Sequence, residues 1–394
     1  MRENEKLTPH AKDQVLGCMV GGAVGDALGY AVEFSSYGSI VKQYGEKGIT
    51  RYALDRHGLA QISDDTQMSL FTAAGILLGM TRGYMRGIMG RIDTYCRFTY
   101  LDWLHTQEWT SRHEDARVDS WLMDVPELYS RRAPGNTCLA ALHSLEAGKE
   151  AHNNSCGCGG VMRTAPLALL NSLHGYADGD KSYCDMCAAE AARITHKHPL
   201  GFIPSAILND ILMQILEDSS RRIEEYVEDA LLRLPEIVSE VDEHKTYGEL
   251  WPEEIRKQKR LLKKALDLAA TDIEDHYAIE SIGGGWTGHE ALAIAIYSAV
   301  RHQDSFEDAV VSCVNHSGDS DSTGAICGNI MGALLGRSAI LAHFTDNLEL
   351  RDVIEEMAED LYTGCIISEY NHYGTPEMAR WDTKYCCQHW EPKK

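Results

Sequence analysis

At 394 residues, 44% of them hydrophobic, the chain has material for a sizeable core in one large domain or two. Its 37 basic and 59 acidic residues leave a net charge of −22, with no basic run able to track a phosphate backbone, so no nucleic-acid partner is expected. The start MRENEKLTPHAKDQV has no apolar signal-peptide run, no uncharged apolar stretch of 18 residues predicts a membrane span, and 12 cysteines follow no framework spacing, so a cytoplasmic protein with reduced thiols is expected.

Residues 11 to 32 predict a first helix in which Gly17, Gly21, Gly25 and Gly29 recur every fourth position. That period places them on one helical face, where each weakens a helix by about 1 kcal/mol relative to alanine. The same ladder recurs at Gly324, Gly328, Gly332 and Gly336, in GDSDSTGAICGNIMGALLG (318–336). Two such faces predict two buried helices in backbone-to-backbone contact, bringing the acidic residues at their ends together. Asp26 and Glu33 lie two turns apart if the first helix persists past Gly29. Glu33, among apolar neighbours, reads either as a desolvated carboxyl of raised pKa or as a helix-end surface group.

Ser63 is a natural N-cap, with Asp64, Asp65 and Thr66 in the first turn, where acidic residues suit the helix dipole. Met68, Phe71, Ala74, Leu77 and Leu78 give the buried face that follows. Such a cap is ordinarily structural, but Asp319, Ser320, Asp321, Ser322 and Thr323 repeat its chemistry at a second helix start. Four carboxylates brought together need a cation, and hard oxygen ligation suits Mg²⁺, Mn²⁺ or Ca²⁺.

Residues 100 to 135, with Trp103, Trp109 and Trp121, read as short helices and loops over a site or an interface. PGNTCLAAL (134–142) is a turn into a helix. In NNSCGCGGVMRTAPLALL (153–170), Gly157, Gly159 and Gly160 free backbone N–H groups before a helix, an arrangement that can hold a phosphate or simply enter the helix. Cys184 and Cys187 form a CxxC without a second pair and read as core cysteines. Thr195, His196 and His198 precede Pro199, where a histidine either caps the helix or reaches a ligand.

Residues 205 to 217 and 221 to 234 are amphipathic, and the charged, glycine-poor stretch to about 280 reads as solvent-facing helices of a peripheral subregion. Gly283–Gly285 and Trp286 form an aromatic-tipped loop, and ALAIAIYSAV (291–300), apolar all round, predicts a central buried helix. Ser305–Asp308 makes a capping box. His372, Cys386, Cys387 and His389 read as an irregular covering tail in preference to a metal site. With no alternating strand pattern of useful length, the expected class is all-α.

Together GGAVGDALGYAVEF (21–34), SDDTQMSL (63–70), PGNT (134–137), NNSCGCGGVMRTAP (153–166), THKHPLG (195–201), GGGWTGHEALAIAIYSA (283–299) and GDSDSTGAICGNIMGALLG resemble the ADP-ribosylglycohydrolase family, which includes dinitrogenase reductase-activating glycohydrolase and the ADP-ribosyl-arginine hydrolases. They follow family order across roughly residues 11 to 365, and the paired SDDT and GDSDS motifs are specific in combination. The resemblance implies a compact, orthogonal multi-helix bundle of one domain over 1–394. It also implies two Mg²⁺ or Mn²⁺ ions held by Ser63, Asp64, Asp65, Asp319, Asp321 and Ser322. ADP-ribose contacts would come from Asn136, Ser155, Gly157, Gly159, Gly160, His196 and Trp286. Relatives are often shorter, so the charged region near 217–280 and the tail after 370 look like additions. Ser63 stands where some relatives have threonine, a hydroxyl-for-hydroxyl change.

The implied activity is hydrolysis of the glycosidic bond between ADP-ribose and a modified protein side chain, arginine before serine. Carboxylates stabilise the oxocarbenium character at the anomeric carbon, and Asp65 or Glu33 takes the water's proton. ADP-ribose is the product, and an ADP-ribosyltransferase is a conceivable partner. The alternatives are an ADP-ribose-binding or toxin-blocking immunity-type protein, a metal-dependent phosphohydrolase releasing phosphate or AMP, and a non-catalytic lens-type protein. The intact carboxylate set argues against the silent readings.

Overall fold

The computed structural model describes residues 7–87, 90–108, 120–174, 181–241, 251–365 and 374–385. The first six helices are α1 (Pro9–Tyr30), α2 (Tyr37–Tyr44), α3 (Asp64–Arg86), α4 (Ile92–Glu108), α5 (Asn136–Glu146) and α6 (Ala165–His174). They are followed by α7 (Lys181–Arg193), α8 (Pro199–Glu217), α9 (Ile223–Val241), α10 (Trp251–Ala269), α11 (Asp275–Ile282) and α12 (Gly288–Arg301). The rest are α13 (Phe306–Val314), α14 (Ser320–Leu335), α15 (Ala342–Thr345), α16 (Arg351–Thr363) and α17 (Pro376–Tyr385). Among the described residues there is no strand, only two isolated bridges, Ala60 with Leu348 and Gly157 with Thr287. The class is all-α.

The helix pair α1 and α14 forms the centre. Thr8 caps α1 by accepting from Ala11 N at 3.0 Å, and Pro9 occupies the first turn, where its missing N–H costs nothing. The two glycine faces meet antiparallel: a Cβ on Gly17, Gly21 or Gly25 would lie 2.1, 2.4 or 1.9 Å from the carbonyl oxygen of Gly332, Gly328 or Gly324. Gly29 meets Ser320 in the same way, at 2.1 Å. The fourth glycine of the second ladder, Gly336, lies past the end of α14 with φ 80° and packs on Asp13. Helix α1 also ends earlier than expected, at Tyr30, so Glu33 belongs to the turn after it.

Helix α12 is buried along almost its whole length, as its composition predicts. Helix α8 is a correction. Its sequence reads as amphipathic, yet Pro199 to Ile215 is buried throughout, because α6, α7, α9 and α12 surround it. It is long and apolar enough to cross a membrane, but 94% of that stretch is covered by protein. Residues 221–234 are amphipathic as expected, with Leu232 exposed on the other face of α9. Ile223, Tyr226, Val227, Ala230 and Leu234 are buried, and Arg233 pairs with the fully buried Asp185 and Asp210.

Trp103, expected over a site or an interface, is a core residue of α4 whose Nε1 donates to Gln67 Oε1 at 3.2 Å. Trp109 lies outside the described residues, as do His372, Cys386, Cys387 and His389. The tail is helical at Pro376–Tyr385: Trp381 and Tyr385 are buried, and the Tyr385 hydroxyl donates to Asp360 Oδ2 at 2.7 Å. All ten described cysteines are free thiols, Cys184 and Cys187 among the buried ones.

Candidate active site

Two helix starts and one helix end converge. Ser63 caps α3, accepting from Asp65 N at 3.1 Å, and Asp319 caps α14, accepting from Ser322 N at 3.4 Å. Each start therefore points its partly positive N-terminus at a group of carboxylates. Asp26 holds the α3 start onto α1. Its fully buried carboxylate accepts from Ser63 N at 3.0 Å, from Thr66 N at 3.1 Å and from the Thr66 hydroxyl. The glycine ladder does the rest, because the close seat of Gly29 against Ser320 sets the end of α1 beside the beginning of α14.

Carboxylate oxygens of Glu33, Asp319 and Asp321 all lie within 4.8 Å of one another. Asp64 and Asp65 stand outside this tight group but close enough that the Asp321 charge raises the pKa of both, after burial. Burial and then the Asp321 and Asp319 charges push Glu33 up to about 10. Burial, then Asp321, pushes Asp26 up to about 7. So many carboxyls cannot ionise together without a compensating cation.

The residues fit such a cation. Asp65 Oδ1 and Glu33 Oε2 are buried and have no hydrogen-bond partner in the protein, although buried polar atoms are normally satisfied. The donor set is all oxygen, the preference of hard divalent ions. Asp64 is partly committed, since its Oδ2 accepts from Gly135 N at 3.1 Å.

The glycine loop differs from its expected form. Cys158–Arg163 is a 3-10 turn, and α6 starts only at Ala165. Gly157 N donates to Ser155 Oγ at 3.3 Å, so one of the three amides expected to be free is engaged, and beside it Cys158 N donates to the Trp286 carbonyl at 3.3 Å. Gly160 is buried against the Gly201 carbonyl. His196 is buried behind the loop: a Cβ on Gly157 would lie 3.1 Å from its Nε2, and one on Gly159 would lie 2.9 Å from its Cε1. It supports the loop from the rear, held neutral by burial and then by Arg163, which lower its pKa to about 3. His198 is the helix cap, accepting from Leu200 N at 3.1 Å. Asn136 is exposed at the start of α5.

Three contributors escape sequence reasoning. Cys158 donates its thiol proton to Asp319 Oδ2 at 2.7 Å, tying the loop to the carboxylate group. Arg163, fully buried, donates to Tyr100 OH at 3.1 Å and Thr195 Oγ1 at 2.6 Å and lies over the Tyr100 ring. Its charge inside the apolar run VMRTAP was the available signal. Phe34, exposed, stacks on Trp286.

The sequence profile described as ADP-ribosylglycohydrolase matches residues 7–369, a span that stops short of α17. The ADP-ribosyl-[dinitrogen reductase] glycohydrolase of Rhodospirillum rubrum is 27% identical, the match covering 87% of this chain and 92% of that protein. The ADP-ribosylarginine hydrolase Tri1 of Serratia proteamaculans is 26% identical, over 89% of this chain and 79% of its own. A solved structure titled ADP-ribosylglycohydrolase-related protein complex superposes with a TM-score of 0.59 at 23% identity, covering 90% of this chain and 99% of that one, a likeness of fold.

Proposed function

The chain belongs to the ADP-ribosylglycohydrolase family, hydrolases of ADP-ribose glycosidic linkages, and on that premise we propose that it removes ADP-ribose from modified arginine side chains of proteins. The observation that carries the reading is the convergence of Glu33, Asp319 and Asp321 beside the unpartnered Asp65 Oδ1. The arginine linkage is supported by the name of one relative, an ADP-ribosylarginine hydrolase.

In this mechanism Ser63, Asp64, Asp65, Asp319, Asp321 and Ser322 would hold two Mg²⁺, with Mn²⁺ as the other candidate. When bound, such ions would neutralise the carboxylates and supply Lewis-acid activation of water. The loop Ser155–Gly160, backed by His196 and flanked by Asn136, seats ADP-ribose. As the C–N bond at the anomeric carbon lengthens, positive charge grows there, and the surrounding carboxylates favour it more than the ground state. Water adds its oxygen to that carbon. Its proton passes to Glu33 or Asp65 and then to the departing guanidine, which leaves as guanidinium. A basic leaving group of this kind needs little help from an acid, whereas a serine alkoxide would need more. ADP-ribose is released, and the partner is an ADP-ribosylated protein of the cytoplasm.

The test is release of free ADP-ribose from matched ADP-ribosyl-arginine and ADP-ribosyl-serine peptides with Mg²⁺, with Mn²⁺, with a chelator and with Asp319→Ala. Metal-dependent release from the arginine peptide, lost in the variant, is expected. Release from the serine peptide alone would overturn the arginine reading. No release from either, with ADP-ribose still binding, would overturn catalysis.

A further inference from the structure

Directly after Glu33 the backbone turns left-handed at Phe34, with φ 63°. A bulky side chain rarely takes that conformation, and glycine is its usual occupant. The Phe34 ring is also 71% exposed, so burial does not explain the residue either. Its partner is Trp286, 45% exposed, with ring centroids 5.5 Å apart and planes 24° from parallel.

Both rings stand on the chain segments that carry the carboxylates. Phe34 follows Glu33. Trp286 belongs to the glycine loop on which Asp319 rests: Asp319 N donates to the Gly284 carbonyl at 2.9 Å, and a Cβ on Gly285 would lie 3.2 Å from the Asp319 carbonyl oxygen. The Trp286 carbonyl is itself anchored by Cys158 N at 3.3 Å. Two solvent-facing aromatic surfaces are thus held beside the group where the glycosidic bond would break.

We propose that the Phe34–Trp286 pair receives the guanidinium of the departing arginine and sets the preference for arginine over serine linkages. This rests on the ADP-ribosyl-arginine reading. A guanidinium is a flat, weakly hydrated cation that stacks on aromatic faces, and the neighbouring carboxylates add attraction. A serine side chain has neither plane nor charge to offer. Adenine stacks as well, but a ribose, a diphosphate and a second ribose separate it from the anomeric carbon, whereas the Phe34 Cα is one peptide, about 3.8 Å, from that of Glu33. At 5.5 Å the rings leave no room for a third plane between them, so the guanidinium lies on an outward face.

The test is steady-state hydrolysis of ADP-ribosyl-arginine and ADP-ribosyl-serine peptides by wild type, Phe34→Gly, Phe34→Tyr, Trp286→Ala and Trp286→Phe, with calorimetric titration of free ADP-ribose. Phe34→Gly and Trp286→Ala are expected to raise KM for the arginine peptide and to lower the arginine-to-serine ratio of kcat/KM by about tenfold, the scale of one desolvated cation–aromatic contact. Phe34→Tyr and Trp286→Phe are expected to restore most of it. Phe34→Gly also relieves the backbone, so its thermal midpoint should not fall, and a lost preference cannot then be ascribed to unfolding. Active wild type with an unchanged ratio in both truncations overturns the proposal. So does an equal loss of affinity for free ADP-ribose, which would make the rings an adenine platform. Wild type inactive on both peptides overturns the hydrolase reading and this proposal with it.

Discussion

An ideal Cβ on Gly25 would lie 1.9 Å from the carbonyl oxygen of Gly324, and one on Gly324 would lie 2.4 Å from that of Gly25. The obstacle on both sides is main chain, which no rotamer change can clear. This mutual contact lets α1 and α14 approach closely enough for Glu33 to share a site with Asp319 and Asp321.

Gly25→Ala or Gly324→Ala should therefore destabilise the protein by about 3 kcal/mol or more, as overpacking against a fixed backbone does. Gly38→Ala is the control. It lies in helix α2 with nothing within 4 Å of the added carbon and should be neutral or stabilising by up to about 1 kcal/mol. Urea unfolding of the three variants decides it, and equal midpoints would contradict the ladder.

Asp319→Asn should trade activity for stability. Asparagine keeps the N-cap while one buried charge disappears from the group around Asp321, so the metal-free variant should gain about 1–3 kcal/mol. Catalysis should fall by at least about a hundredfold, and the stabilisation that Mg²⁺ lends the wild type should vanish. Thermal unfolding with and without chelator, beside an ADP-ribose release assay, checks all three.

Arg233→Met should cost about 3–5 kcal/mol by stranding the buried carboxyls of Asp185 and Asp210. Asp185 sits at about 8, raised by burial and then by the Asp210 charge. Between an unfolded value of about 4 and that value the native state holds a proton the unfolded state has lost, so stability falls as pH rises. Losing the guanidinium raises Asp185 further, so the variant's deficit should be larger at pH 8 than at pH 6. Denaturation at the two pH values gives the sign.

His196 behaves in the opposite sense. Its native value of about 3 lies below an unfolded value of about 6.5, so the unfolded state takes up the proton first and stability falls as pH falls through that window. From pH 6.5 to pH 5 the loss is about 2 kcal/mol. The stability gap between wild type and His196→Asn should narrow by that amount over the same interval, with other titrating groups cancelling between the two proteins.

The helices, their caps and the two glycine faces were legible along the chain because each depends on spacings of one to four residues. The four-residue ladders predicted the α1–α14 contact, and Ser63 was readable as a cap from its own next three residues, whereas the second helix start was legible in GDSDST and the structure made Asp319 its cap. Family motifs then supplied the chemistry that helical geometry alone does not specify.

Tertiary structure decided what joins distant positions. Asp26 became the anchor of α3 instead of a companion to Glu33 on one helical face, because α1 stops at Tyr30 and the chain turns through Phe34. Helix α8 is buried on all sides although its pattern is amphipathic, because burial depends on how many neighbours surround a helix. The Cys158–Asp319 hydrogen bond spans 161 positions, and the Phe34–Trp286 stack joins residues still further apart in the chain. Periodicity is a property of local backbone geometry. Convergence of remote side chains depends on the path of the whole chain, which no local spacing encodes.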